Sequence, residues 1–161
     1  MTQTNITRLL DSRGIPYELY EFPAQKLSAL EVANLLQVDV NLVYKSIVVT
    51  RPQKGKPILV LVPGPLEVDL KALAKALNEK KVILPTEREA ENLTGLQAGG
   101  ISPLALLNKG FQVILDSSVQ DRPQIIISAG QRGMNLRIQV SALIEMTHAR
   151  VAPVSREPGE N

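Results

Sequence analysis

Leu42 to Arg51 reads LVYKSIVVTR, and after the turn-like Gln53-Lys54-Gly55 the stretch Pro57 to Pro63 reads PILVLVP. Both runs are β-branched and apolar. Short runs of that kind on either side of a glycine-containing turn predict the two strands of a β-hairpin. Upstream, Asn5 to Arg13 places Ile6, Leu9 and Leu10 on one helical face and stops at Gly14. Pro16 then opens a strand, Tyr17 to Phe22, in which Tyr17, Leu19 and Glu21 face one way and Glu18, Tyr20 and Phe22 the other. Ser28 followed by Glu31 has the spacing of a capping box, and Leu30, Val32, Ala33, Leu35 and Leu36 carry an apolar helical face to about Gln37.

Downstream of the hairpin, Asp69 caps Leu70 to Leu77, a stretch rich in strong helix formers. A short strand is expected at Lys81 to Leu84, then a second capping box, Thr86 with Glu89, starts a helix that ends at Gly95. Beyond the loop LQAGGISP, strands are expected at Gln112 to Leu115, Gln124 to Ser128 and Met134 to Val140, with AGQRG turning the second into the third. Ser141 is expected to cap a final short helix, Val151 to Val154 to form a last strand, and residues 156–161 to be a disordered tail. No repeat, low-complexity tract or linker divides the chain. Residues 1–155 therefore read as one α+β domain, a mixed, barrel-like β-sheet of about seven strands flanked by helices.

Composition narrows the chemistry. Aromatic residues are only 3% against 44% hydrophobic, so the core has to be built from Leu, Val, Ile and Ala. With no cysteine and His148 as the single histidine, thiol nucleophiles, Cys-His dyads and the common zinc spacings are excluded. No apolar run approaches the roughly 20 residues of a membrane helix, and the start MTQTNITRLL lacks a signal-peptide layout, so the protein reads as soluble and cytoplasmic. A net charge of +2 is compatible with a polyanionic partner without marking a dedicated nucleic-acid binder.

Two features stand out against this background. Alternation along VYKSIVV puts Lys45 on the same face as Val43, Ile47 and Val49. A lysine there snorkels to solvent at a strand end, pairs with a carboxylate, or meets an anionic ligand, because an unpaired buried ammonium is costly. The second is Ala98-Gly99-Gly100-Ile101-Ser102-Pro103, where paired glycines allow a sharp turn and the proline stiffens its exit. Backbone N–H groups exposed in such a loop hold a phosphate, a carboxylate or an oxyanion, although glycine pairs also serve ordinary turns.

The loop has neither the Gly-Lys-Ser/Thr ending of a P-loop nor the third glycine of a dinucleotide fingerprint, and Ser102 lacks a nucleophile-elbow context. Asp116, ending the strand FQVILD, and Ser128-Ala129-Gly130, at the end of IIIS, read either as turn residues or as the lining of one cavity mouth. Lys54, Lys56, Lys80 and Lys81 read either as solubilising charge or as contacts to RNA phosphates.

In order and spacing, VYKSIVV, PGPLEVDLKALAKAL, LTGLQAGGISPL and IIISAGQRGMNLRI resemble the YbaK/EbsC family of aminoacyl-tRNA deacylases, related to the editing insertion domain of bacterial prolyl-tRNA synthetases. The resemblance runs from about Asn5 to Val154 and is most specific at the lysine of VYKS and the Gly-x-x-x-Pro loop. It implies a trans-editing enzyme that cleaves the ester of mischarged tRNA, above all Cys-tRNA(Pro), without a metal or organic cofactor. The residue matching Lys45 would contact the terminal adenosine, and the loop matching Gly99, Gly100, Ile101, Ser102 and Pro103 would hold the ester with main-chain groups. The attacking group would be the substrate's own thiol in cysteinyl-tRNA, or a positioned water in alanyl-tRNA.

The implied partners are the acceptor end of aminoacyl-tRNA and, transiently, prolyl-tRNA synthetase; neither DNA nor a membrane is implied. The chain departs from the family at three substrate-binding positions. Asn135 stands where cysteinyl-class relatives carry an acidic residue, Phe22 where a tyrosine can occur, and Ser28 where some members have a larger aromatic. These departures keep a second reading in view, a non-catalytic module that binds the tRNA acceptor end or a synthetase; a third is a small-molecule hydrolase of the same fold.

Overall fold

The hairpin forms as its sequence requires. In the computed structural model, which describes residues 2–159, the chain runs through α1 (Asn5–Ser12), β1 (Tyr17–Glu21), α2 (Ala29–Leu36), β2 (Tyr44–Val49), β3 (Ile58–Pro63), β4 (Glu67–Val68) and α3 (Leu70–Ala76). It continues through α4 (Glu87–Thr94), β5 (Gln112–Asp116), β6 (Gln124–Ser128), β7 (Met134–Gln139), α5 (Val140–Thr147), β8 (Arg150–Ala152) and β9 (Ser155–Arg156). β2 and β3 pair antiparallel with Lys45 opposite Val62.

β3 is buried at every position because both of its faces are covered. Leu59 and Leu61 join the larger aliphatic core, and Ile58, Val60 and Val62 join a second core with Leu73 and Ala74 of α3. β5 and β8 continue this sheet in parallel, in the order β2-β3-β5-β8. A second, antiparallel sheet has the order β1-β7-β6, and β4 pairs with β9 in a small third one. The helix starts follow the sequence signals. Ser28 with Glu31 and Thr86 with Glu89 form reciprocal capping boxes, and Asp69 accepts from the Ala72 amide.

The structure corrects the expected architecture in several places. The mixed α+β class holds, but the strands form three open sheets and no closed barrel. The two larger sheets touch at a single parallel bridge, Val43 to Ile126, and then part. Lys81 to Leu84 is not a strand; only Ile83 pairs, in one bridge to Thr50. α5 begins at Val140, ahead of Ser141, and its N-cap Gln139 makes no side-chain capping bond.

At the C-terminus, the expected strand Val151 to Val154 forms as the shorter Arg150–Ala152. Arg156, expected in a disordered tail, belongs to β9 and pairs with Glu67 at 2.9 Å. Glu160 and Asn161 of that tail lie outside the described residues. No helix among the described residues is long and apolar enough to cross a membrane.

Candidate active site

Lys45 and Ser128 each follow the Val43–Ile126 bridge by two residues, so they sit where the two sheets begin to separate. A cavity of about 520 Å³ opens there, walled by β2, the start of α2, the ends of β6 and β7, the Leu84-Pro85 stretch and the glycine loop. Of the residues singled out in the sequence, Lys45, Gly99, Ile101, Ser28, Ser128 and Asn135 line it together. Ser128 and Asn135 are cross-strand partners, and Tyr20 of β1 is the next residue in that row.

β2 holds Lys45 firmly. The preceding Tyr44 is buried on the opposite face, where its hydroxyl lies 2.6 Å from Ser118 Oγ and accepts from Arg122 Nη1 at 2.7 Å. Lys45 itself is half-buried and has no ion-pair partner among the described residues. Burial pushes its pKa below the ordinary 10.5, and the charge of Glu67 opposes that shift only in part. The Glu67 carboxylate accepts instead from Arg156 Nε.

The glycine loop is pinned from three sides. The Ala98 amide donates to Glu91 Oε2 at 2.8 Å, and its carbonyl accepts from Arg132 Nε at 2.7 Å. Gly99 has φ +87, and a Cβ there would press on Lys26. A Cβ on Gly100 would come within 2.8 Å of the Gln131 backbone in the AGQRG turn, so only glycine fits. The Gly100 amide closes a turn onto Gln97 O, whereas the amides of Gly99 and Ile101 have no protein acceptor among the described residues. These two donors sit in the wall of a cavity that also holds a cation, an arrangement suited to a carbonyl oxygen on which negative charge develops.

The other candidates are placed differently. Ser102 is fully buried and caps the 3-10 turn Pro103–Leu106, where its hydroxyl accepts from the Leu104 amide; Pro103 is buried as the first residue of that turn. Both shape the loop from behind. Asp116 lies away from the cavity, with its carboxylate accepting from the amides of Ser118 and Val154. It braces β5 against the chain after β8. Gly130 (φ +97) borders a different depression, against Ile6 and Ala105, and donates its amide to Ser128 Oγ. Phe22 packs beneath α2 in the small core of Val32, Ala33, Val43 and Ile126, outside the lining. Ser28 combines its place in the wall with N-capping α2.

Two features of the site were missed in the sequence. Ser46 also lines the cavity, and its hydroxyl is buried without a hydrogen-bond partner among the described residues. An unmet buried hydroxyl costs roughly 1–3 kcal/mol, so this position favours a ligand group. Its signal was the second polar interruption of VYKSIVV, hidden beside the more obvious lysine. The other is the ion pair of Lys26 Nζ with Glu87 Oε2 at 2.6 Å, which straps the segment before α2 to the start of α4 along the cavity wall. Lone surface charges 61 positions apart carry no sequence signal of pairing.

A mixed α+β domain with this cavity takes its class from the comparison with known families. The family model of the aminoacyl-tRNA editing domain matches residues 24–146, and this chain belongs to that family. Within it, the chain is of the YbaK/EbsC kind. It is 34% identical over 155 residues to EbsC of Enterococcus faecalis, a protein named for deacylation of Cys-tRNA(Pro) and Cys-tRNA(Cys), covering 95% of this chain and 93% of that one.

It is also 29% identical over 121 residues to proline–tRNA ligase of Staphylococcus aureus, covering 75% of this chain and 20% of the ligase. The fold is shared with the crystal structure of hypothetical protein APE2540 (TM-score 0.86, 24% identity, 95% of this chain and 100% of that one). It is shared too with a structure described as a trans-editing enzyme for prolyl-tRNA synthetase (TM-score 0.77, 24% identity, 96% and 99%). The family is one of editing deacylases that serve translation fidelity, and aminoacyl-tRNA is its substrate.

Proposed function

We propose that this protein is a trans-editing deacylase that clears mischarged tRNA in the cytoplasm, with Cys-tRNA(Pro) as its leading substrate. The observation that carries the reading is the meeting, in one cavity, of half-buried Lys45 with the amides of Gly99 and Ile101, none of which has a partner among the described residues. An aminoacyl ester is already activated, so the protein's task is to position it and to stabilise charge. The two amides donate to the ester carbonyl oxygen as it becomes an oxyanion, and Lys45 holds the terminal adenosine. Ser46, Ser128 and Asn135 supply the polar lining for the aminoacyl group.

His148 sits at the C-cap of α5, away from the cavity. An activated ester needs no protein nucleophile, and in this reading the attacking group is external to the protein. In cysteinyl-tRNA it is the substrate thiol, which bonds to its own carbonyl carbon while the ribose oxygen departs with the proton; in other substrates it is a water held in the cavity. With a neutral Asn135 in its lining, the cavity accepts more than one small amino acid in this reading, since a pocket separates one methylene by only about 1–3 kcal/mol. The proline–tRNA ligase likeness supports a transient complex with that synthetase, which would deliver the mischarged tRNA.

Deacylation of cysteinyl-, alanyl- and seryl-tRNA by the purified protein tests the reading. Release of amino acid is expected from at least one of them, fastest from cysteinyl-tRNA(Pro). Gel shifts of all three without release would instead identify a non-catalytic acceptor-end module. Turnover of free aminoacyl esters independent of tRNA would identify a small-molecule hydrolase.

A further inference from the structure

Four lysines gather outside the cavity along α3 and the connection that follows it. Lys71 and Lys75 stand one turn apart on the helix, Lys80 and Lys81 follow in the connection leaving it, and all four border one shallow depression. All are exposed, and none has an ion-pair partner among the described residues. Glu79, the one acid lining the depression among the described residues, is engaged on both oxygens, by Arg51 Nε at 3.4 Å and Gln53 Nε2 at 2.6 Å. The patch keeps its charge in a chain whose net charge is only +2.

Its position gives it a direction. Lys81 is three residues from Leu84, which lines the cavity wall and is 55% exposed, so no more than about 11 Å of extended chain separates the cation from the rim. The Thr50–Ile83 bridge fixes this stretch beside the end of β2, the strand that carries Lys45. A nucleic-acid strand whose end is seated in the cavity must leave across its rim, presenting a phosphate about every 3.4 Å of rise.

We propose that Lys71, Lys75, Lys80 and Lys81 form the surface on which the phosphates of the tRNA acceptor strand lie, with the strand leaving the cavity over Leu84. The inference rests on the cavity being an aminoacyl-ester site and adds where the rest of the tRNA runs.

The test compares the wild-type protein with a variant carrying Lys71→Gln, Lys75→Gln, Lys80→Gln and Lys81→Gln, substitutions that retain helix propensity. Binding of unacylated tRNA(Pro) is titrated across salt concentrations, and deacylation is measured on full-length cysteinyl-tRNA(Pro) and on cysteinyl-adenosine, which ends before the lysines. Each neutralised phosphate contributes about 0.7–0.9 to the salt slope. The variant should therefore lose about 3 of that slope and raise KM for the full tRNA at least tenfold, while its rate on cysteinyl-adenosine stays within twofold.

An unchanged slope and KM overturn the surface and leave the deacylase reading standing. Lysine-dependent tRNA binding by a wild-type protein that hydrolyses neither substrate does the reverse, supporting the surface and overturning the reading. A variant that binds tRNA normally but loses a protein partner would assign the patch to that partner and overturn the proposal.

Discussion

The ammonium of Lys45 is held half-buried at the separation of two sheets, with its nearest acid, Glu67, tied to Arg156. Burial lowers its folded pKa, so between the folded and unfolded values the unfolded chain binds more protons, and stability rises with pH through that window. Below the window the charged lysine weighs on the fold in full; above it the penalty is gone. Lys45→Met should therefore raise the melting temperature at neutral pH, with the gain vanishing in alkali, as thermal denaturation across pH would show. If the wild-type rate depends on the cation, it should fall on the alkaline side at a pH below that of an ordinary lysine. A destabilised Lys45→Met protein would show that the lysine is a structural element of the fold. Lys45 was legible because strand alternation makes a charge on an apolar face conspicuous. Asp116 was also noted, but its carboxylate caps a local turn at the Ser118 amide and reaches the distant Val154 amide, which only the tertiary fold brings to it.

At the scale of elements, the glycine loop is held in place by the AGQRG turn behind it. Arg132 holds the Ala98 carbonyl, and Gly100 lies against the Gln131 backbone, which cannot yield as a flexible side chain would. Gly100→Ala should displace the loop by a fraction of an ångström to an ångström. Misplacement on that scale costs about 100-fold in rate, so kcat on cysteinyl-tRNA should drop by that order while circular dichroism stays native. A near-normal kcat would mean that the loop does not position the ester. The loop, the capped helices and the hairpin were all legible, because each is written in local signals such as paired glycines, Ser/Thr followed three residues later by Glu, or a β-branched run. β9 and the Ile83 bridge were not. Each consists of one or two residues whose pairing is decided by a partner far away in the chain, Glu67 and Val68 in one case and Thr50 in the other.

For the whole molecule, the expected barrel and the observed open sheets differ where it matters for function. The sheets meet at one bridge and then diverge, and the resulting gap is the cavity; closure there would have filled it with ladder hydrogen bonds. The α+β class and the order of the main elements were readable from the sequence; nine strands form among the described residues where about seven were expected, and the gap depends on how β2 and β6 leave that bridge. The molecule then reads as a scaffold that positions an activated ester against fixed donors and one cation, leaving the attacking group to the substrate or to water. The measurement closest to this account is single-turnover deacylation of cysteinyl-tRNA(Pro) by wild-type and Lys45→Ala proteins, with tRNA binding measured in parallel. Lys45 positions the terminal adenosine, and misplacing a reacting group by about 1 Å costs about 100-fold, so the variant should be slower by roughly 100-fold and remain folded. Wild-type rates in the Lys45→Ala protein would contradict it.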